Sequence, residues 1–328
     1  MLFNILAIFV GLALLVIGAD ILVKGASNIA KKFHIPEILI GLTIVAIGTS
    51  MPELIITVTS AQKGSIDLIV GNSIGSDLCN LLFILGMMAI IRPIPIQKET
   101  KKIHIPIAFL STVIIYAMSV GILGGKENVI HSLDGIVLII LFIAYVLYPV
   151  FLDRKKIVEE YKKEKQSRQE TPEERKRGKR KVILSILFMI GGIILLKVGG
   201  DMVVDYVTVI AREYGVSERV IGLTIVAIGT ALPEMVTSLI AVITGDADIA
   251  VGNLIGSSVL NSFLILGIGA AITPLTISAE FTENLLLLIF STTLLWLFCY
   301  LPKKDTLTRP KGLILVLIFA IYMVKLFV

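Results

Sequence analysis

Two acids carry the chemistry this sequence offers. Glu53 and Glu234 each close the pattern Gly-Thr-x-x-Pro-Glu, as Gly48 to Glu53 and Gly229 to Glu234, and both lie inside long apolar segments. A carboxylate in hydrocarbon costs several kcal/mol unless something offsets it, so an acid placed there marks an ion pathway by default. Proline adds a second signal. Pro52 and Pro233 have no N–H, so the carbonyls of Gly48 and Gly229, four residues earlier, lose their helical partners. Bare carbonyls inside a membrane are unfavourable unless they line a cavity or meet a cation. Carboxylate, carbonyl and the hydroxyl oxygens of Thr49, Thr230 and Ser50 are the donors a hard cation takes.

A second motif supplies more oxygen. Gly-Asn-x-Ile-Gly-Ser-x-x-x-Asn runs from Gly71 to Asn80 and again from Gly252 to Asn261. Ser76 and Asn80 are four apart, as are Ser257 and Asn261, which puts each pair on one helix face. Amides deep in an apolar span need partners, and the motif's glycines permit close helix packing. Charge counting then narrows the ligand. Two facing carboxylates repel, and one divalent or two monovalent cations balance them. Ca²⁺, which takes about six to eight oxygens, suits such a set better than Mg²⁺, which keeps its waters. A site satisfied by either charge pattern is a competitive exchange site.

The elements that must position these residues come twice. Positions 41–49 and 222–230 are identical, and the offset of 181 also relates Pro52 to Pro233, Glu53 to Glu234, Asn72 to Asn253, Ser76 to Ser257 and Asn80 to Asn261. Shared hydrophobicity would match Leu and Ile but not these polar residues, so the chain is a duplicated unit. Apolar runs of spanning length fall near 3–23, 38–60, 68–91, 104–123, 135–152, 182–204, 220–243, 249–272, 283–301 and 311–327. Each unit holds five spans, an odd number, so the second copy enters the membrane from the opposite side. The expected fold is therefore an all-α integral membrane protein. Its ten transmembrane helices form two inverted five-helix repeats, with broken helices around a central cation site. Its parts are a first repeat over 1–152, a basic linker over 153–181 and a second repeat over 182–328.

Composition supports this and excludes other classes. The chain has 328 residues, 56% hydrophobic and 17% charged, far more apolar than an ordinary soluble domain. Its net charge of +5 comes largely from the central basic stretch, whose only aromatic residue is Tyr161. That stretch reads as a membrane-side loop, not a nucleic-acid surface. Lys and Arg cluster in loops on that same side, which by the positive-inside rule makes the linker cytoplasmic and puts both termini outside. The start of the chain reads as a retained first helix in a multi-pass protein of the cell membrane. Cys79 and Cys299 sit in apolar segments, against a disulfide framework, and His34, His104 and His131 fall at span or loop ends without ligand spacing. No phosphate-cradling motif or nucleophile–base pair is present. The expectation is a transporter with no enzymatic activity, no cofactor and no obligatory protein partner.

The paired Gly-Thr-x-x-Pro-Glu and Gly-Asn-x-x-Gly-Ser motifs resemble those of the cation/Ca²⁺ exchanger superfamily, and specifically its sodium/calcium exchanger branch. The proton-coupled members usually carry Gly-Asn-Ala-x-Glu at the glutamates, which this chain lacks. The resemblance implies Ca²⁺ coordination by Glu53 and Glu234 with the carbonyls of Thr49 and Thr230. It implies Na⁺ sites that add Ala46, Ser50, Ala227, Ser76 and Ser257, with Asn80 and Asn261 lining the centre. The implied function is secondary antiport of Na⁺ against Ca²⁺ by alternating access at a shared midplane site, and the alternative is Ca²⁺/H⁺ exchange on the same glutamates. Three departures stand out. Ala231 replaces the counterpart of Ser50. Asn261 stands where potassium-dependent and some prokaryotic relatives have Asp, which argues against K⁺ co-transport. Asp77 is an extra acid opposite Ser258, either a satisfied interhelical acid or one that tunes proton or cation access. Asp20 and Asp201, also repeated, read as structural.

Overall fold

The computed structural model describes residues 1–33, 35–122, 128–148, 172–215, 227–301 and 305–327. The larger part of the expected linker, residues 220–226 of the seventh span, and the Ala227 side chain lie outside the described residues.

Among the described residues, helices fall in each of the ten expected spans in chain order. In the first repeat, α1 (Leu2–Phe33) is followed by α2 (Glu37–Thr49) and α3 (Met51–Lys63), two halves of one span bent by 48°. Then come α4 (Ile66–Ile91), α5 (Thr100–Ser119) and α6 (Ser132–Tyr148). In the second repeat, α7 (Pro172–Glu213) precedes α8 (Ala227–Thr230) and α9 (Leu232–Thr244). They are followed by α10 (Ala247–Ile272), α11 (Ala279–Phe298) and α12 (Arg309–Phe327). Helix α7 begins earlier and ends later than the expected 182–204. Six described helices are long and apolar enough to cross a bilayer unaided, seven with the bent pair.

The repeat is inverted in space as well as duplicated in sequence. Two short antiparallel pairings reveal the pseudo-two-fold. Ile94–Pro95 pairs with Thr306–Leu307, and Leu275–Thr276 pairs with Val129–Ile130. Ile94 and Pro95 stand 181 positions before Leu275 and Thr276, while Val129 and Ile130 stand 177 before Thr306 and Leu307. Each pairing is thus the image of the other, and each joins the end of one repeat's third span to the other repeat's loop between the fourth and fifth spans.

Close helix approach holds the halves together. A Cβ on Gly18 would meet the carbonyl oxygen of Gly192 at 2.9 Å, and one on Gly11 would meet that of Gly199 at 2.9 Å. Gly192 is the copy of Gly11 and Gly199 the copy of Gly18, so α1 and α7 cross in antiparallel fashion about the same axis. Only glycine lets the two backbones come this near.

Burial then ranks the helices. The apolar windows of α4 and α10 are 72% and 78% buried by protein, against 33% for α1 and 28% for α7. The central pair is therefore enclosed, while the long outer pair turns apolar side chains such as Phe9, Val16, Leu187 and Ile194 outward, as a lipid-facing helix does. A ring of polar ties closes one end of the bundle. Gln97 donates to Asp248 at 2.5 Å, Ser27 donates to Glu37 at 3.1 Å, and Lys31 lies 3.5 Å from Glu37.

Candidate cation site

The breaks fall where proline predicts. Helix α2 ends at Ser50, whose φ of −85° and ψ of 14° leave the helical region, and α3 starts with Pro52 in its first turn. In the second repeat Ala231, at φ −83° and ψ 0°, stays within the helical region, and Pro233 stands in the first turn of α9. Each new half-helix therefore opens at the glutamate, with Glu53 and Glu234 in its first turn. A helix start carries free N–H groups and a positive dipole end, which favours a carboxylate there.

Opposite these breaks, α4 and α10 present their polar faces. Ser73, Ser76, Asp77 and Asn80 lie at helical spacing on α4, and Asn253, Ser257, Ser258 and Asn261 on α10, all of them buried. Both helices relax into a wider π-type turn where the asparagine sits, over Cys79–Ile84 and Leu260–Ile265. Such turns recur at functional positions because they free backbone groups.

The four faces interlock. Ser50 Oγ donates to Glu234 Oε1 at 2.9 Å and lies 3.1 Å from Ser257 Oγ, so the first repeat's serine serves the second repeat's acid. Glu53 receives Ser76 Oγ at 3.5 Å. The hydroxyl of Thr49 lies 3.1 Å from Asn253 Oδ1, and Asn253 Nδ2 donates to Ser238 at 3.0 Å. Ala46 is fully buried one turn before Ser50, whose N–H bonds its carbonyl at 3.0 Å. Thr230 is buried one turn before Glu234. The sequence candidates with described side chains thus gather at one place, where four half-spans and two π-type turns meet.

What is left unpaired defines the chemistry. Glu53 Oε2, Glu234 Oε2, Asn80 Oδ1 and Asn261 Oδ1 are buried without a hydrogen-bond partner, and the four form two pairs related by the repeat. Unsatisfied buried acceptors are costly, and acceptors without donors call for a cation. None of the ion pairs among the described residues involves Glu53, Glu234 or Asp77. Nor do three or more His, Cys, Asp or Glu side chains form a metal-binding group among the described residues. Neutral amide, hydroxyl and carbonyl oxygens would have to complete any coordination shell, as they do for Ca²⁺ and Na⁺.

Several polar residues here were not singled out from the sequence. Thr57 and Ser238 share the 181 offset and sit one turn beyond the glutamates, so the repeat could have identified them. Ser73 donates to the Asn261 carbonyl at 2.9 Å and Ser262 to Asp77 at 3.1 Å. Their copies are Leu254 and Leu81, so no repeat signal marks them. Asp77 bridges α4 to α10, while Asp20 and Asp201 each pair with a lysine one turn away, at 2.6 Å and 2.7 Å, outside the site. His104 is buried, with its Nδ1 3.4 Å from the Tyr145 hydroxyl.

An inverted pair of five-span repeats around a buried cluster of acids and unpaired oxygens defines a membrane transporter for cations. The family model described as sodium/calcium exchanger protein matches residues 3–151 and 184–328. The chain belongs to the sodium/calcium exchanger family, and its members' activity makes it a cation/Ca²⁺ exchanger rather than an enzyme. It is 32% identical to the putative antiporter CaxA of Alkalimonas amylolytica, over 98% of this chain and 97% of the relative. It is 36% identical to the inner membrane protein YrbG of Escherichia coli, over 88% and 87%. Among solved structures, the sodium-calcium exchanger NCX_Mj in a crystal soaked with 10 mM Na⁺ and no Ca²⁺ superposes with a TM-score of 0.82. That match has 31% identity and covers 98% of each chain.

Proposed function

We propose that this protein is a secondary antiporter that exchanges Na⁺ for Ca²⁺ by alternating access at one shared site. The observation that carries the reading is the set of four unpaired buried oxygens, on Glu53, Glu234, Asn80 and Asn261, contributed equally by the two repeats. Glu53 and Glu234 are the charged ligands. Thr49, Thr230, Ser50, Ser76, Ser257, Asn80, Asn261, Ala46 and Ala227 supply hydroxyl, amide or main-chain oxygens. One Ca²⁺ balances the two carboxylates, and so do two Na⁺, so the ions compete for the same oxygens. The chain works as two functional halves, 1–152 and 182–328, joined by the basic stretch 153–181. That stretch lies in the cytoplasm and both termini lie outside. The side on which Arg92 bonds the Val242 carbonyl, Gln97 bonds Asp248 and Arg309 bonds the Ile90 carbonyl is also the lysine-rich side, which supports this orientation.

Reconstitution tests the coupling. Proteoliposomes loaded with Na⁺ should accumulate ⁴⁵Ca²⁺ only while an outward Na⁺ gradient exists, and should keep doing so after the pH gradient is collapsed. Uptake that follows the pH gradient and ignores Na⁺ would instead make the protein a Ca²⁺/H⁺ exchanger.

A further inference from the structure

Asp77 breaks the symmetry of the site. Its Oδ1 accepts from Asn261 Nδ2 at 2.9 Å and its Oδ2 from Ser262 Oγ at 3.1 Å, so an acid of the first repeat is held entirely by donors of the second. Asp77 is 1% exposed and Asn261 is 1% exposed. The image of this contact would join Ser258 to Asn80. Ser258 instead donates to the Leu254 carbonyl at 3.1 Å, and the position related to Ser262 is Leu81.

The consequence follows from amide chemistry. An asparagine can turn either its oxygen or its nitrogen toward a neighbour, and a carboxylate can only accept. Asn261 must therefore give its NH₂ to Asp77, which leaves Oδ1 as the end that faces away, and that oxygen is one of the unpaired acceptors. A hydrogen bond from an amide N–H to a carboxylate also pushes electron density toward the amide oxygen, which makes it a stronger donor to a cation. Among the described residues, Asn80 has no such anchor.

We propose that Asp77 is the positioning residue that sets ion preference at the central site. It locks the Asn261 amide with its oxygen inward, so that the second repeat offers a polarised neutral ligand while the third acid stays one layer behind it. This rests on the reading of Glu53, Glu234 and Asn261 as cation ligands. Asp77 is not itself a ligand; it acts through Asn261.

Exchanging the two side chains tests it. Asp77→Asn removes the lock, and Asn261→Asp sets two carboxylates against each other. Each should raise the KM for Ca²⁺ in Na⁺-loaded proteoliposomes by about tenfold and shift the Ca²⁺-to-Na⁺ preference, with melting temperature in detergent held within a few degrees. The double variant D77N/N261D restores one amide and one carboxylate in hydrogen-bond contact. It remakes the hydrogen bond between α4 and α10 but turns a carboxylate, not an amide oxygen, toward the ions, so the Ca²⁺-to-Na⁺ preference should stay shifted, whereas a purely structural role of Asp77 would return it to the parent's. An unchanged KM and preference in D77N, or a double variant with the parent's preference, would overturn the proposal. If D77N cannot be isolated, the double variant decides alone, and its failure to fold or a parental preference counts against the lock. Glu53→Gln serves as the reference. Transport by that variant would overturn the site reading itself, whereas its loss beside a silent D77N would overturn only the lock.

Discussion

Glu53 and Glu234 occupy equivalent positions but unequal surroundings. Glu234 accepts from Ser50 at 2.9 Å, whereas the position that would serve Glu53 in the same way is Ala231, and the side chain facing Glu53 is Ser76 at 3.5 Å. Both keep one carboxylate oxygen unpaired. Removing one charge from such a buried set costs about 3–5 kcal/mol, a hundredfold or more. Glu53→Gln and Glu234→Gln should therefore each lower Ca²⁺ uptake in proteoliposomes by about a hundredfold while the purified protein stays monodisperse. Uptake near the parent rate would assign the acids to packing. The glutamates, Ser50, Ser76, Ser257 and both asparagines were legible in the sequence because polar residues in apolar spans are rare and these came in copies or in motif. Ser73 and Ser262 were not, because leucine stands in each copy and a lone serine in a helix has many bland uses.

At the scale of the helix, the seam between α1 and α7 depends on the absence of a side chain. A Cβ on Gly192 would lie 2.7 Å from the Gly18 carbonyl oxygen and 2.8 Å from Leu22 Cβ. The adjacent Gly191 would meet only Ile21 Cδ1, at 3.8 Å. Gly192→Ala should destabilise the protein by about 1–3 kcal/mol through overpacking. Gly191→Ala should be neutral or stabilise by up to about 1 kcal/mol through helix propensity. Thermal unfolding of the two variants in one detergent checks the difference, and equal melting temperatures would mean the backbones are free to separate. The existence of such glycines is visible in the sequence; which of two neighbouring glycines faces the partner helix is not, since that depends on the rotation of α7.

For the whole molecule, the proposed orientation makes Lys63 extracellular and Lys98 cytoplasmic, and both are exposed. The two native cysteines are buried, so they leave a low background for thiol labelling. In intact cells an impermeant maleimide should modify a Lys63→Cys variant and spare Lys98→Cys, and the reverse pattern would invert the topology. The sequence by itself determined the architecture, because an odd number of spans in a duplicated unit forces inversion and because copied polar residues in hydrocarbon mark a shared site. Only the tertiary structure decided which oxygen meets which. Ser50 meets Glu234 and Asp77 meets Asn261, each across 184 positions rather than the 181 of the repeat. In these two contacts the side chain pairs with the copy of the residue three places on, one helical turn along. That register is set by how α2, α4, α9 and α10 pack around the pseudo-axis, and no spacing within a single strand of sequence encodes it.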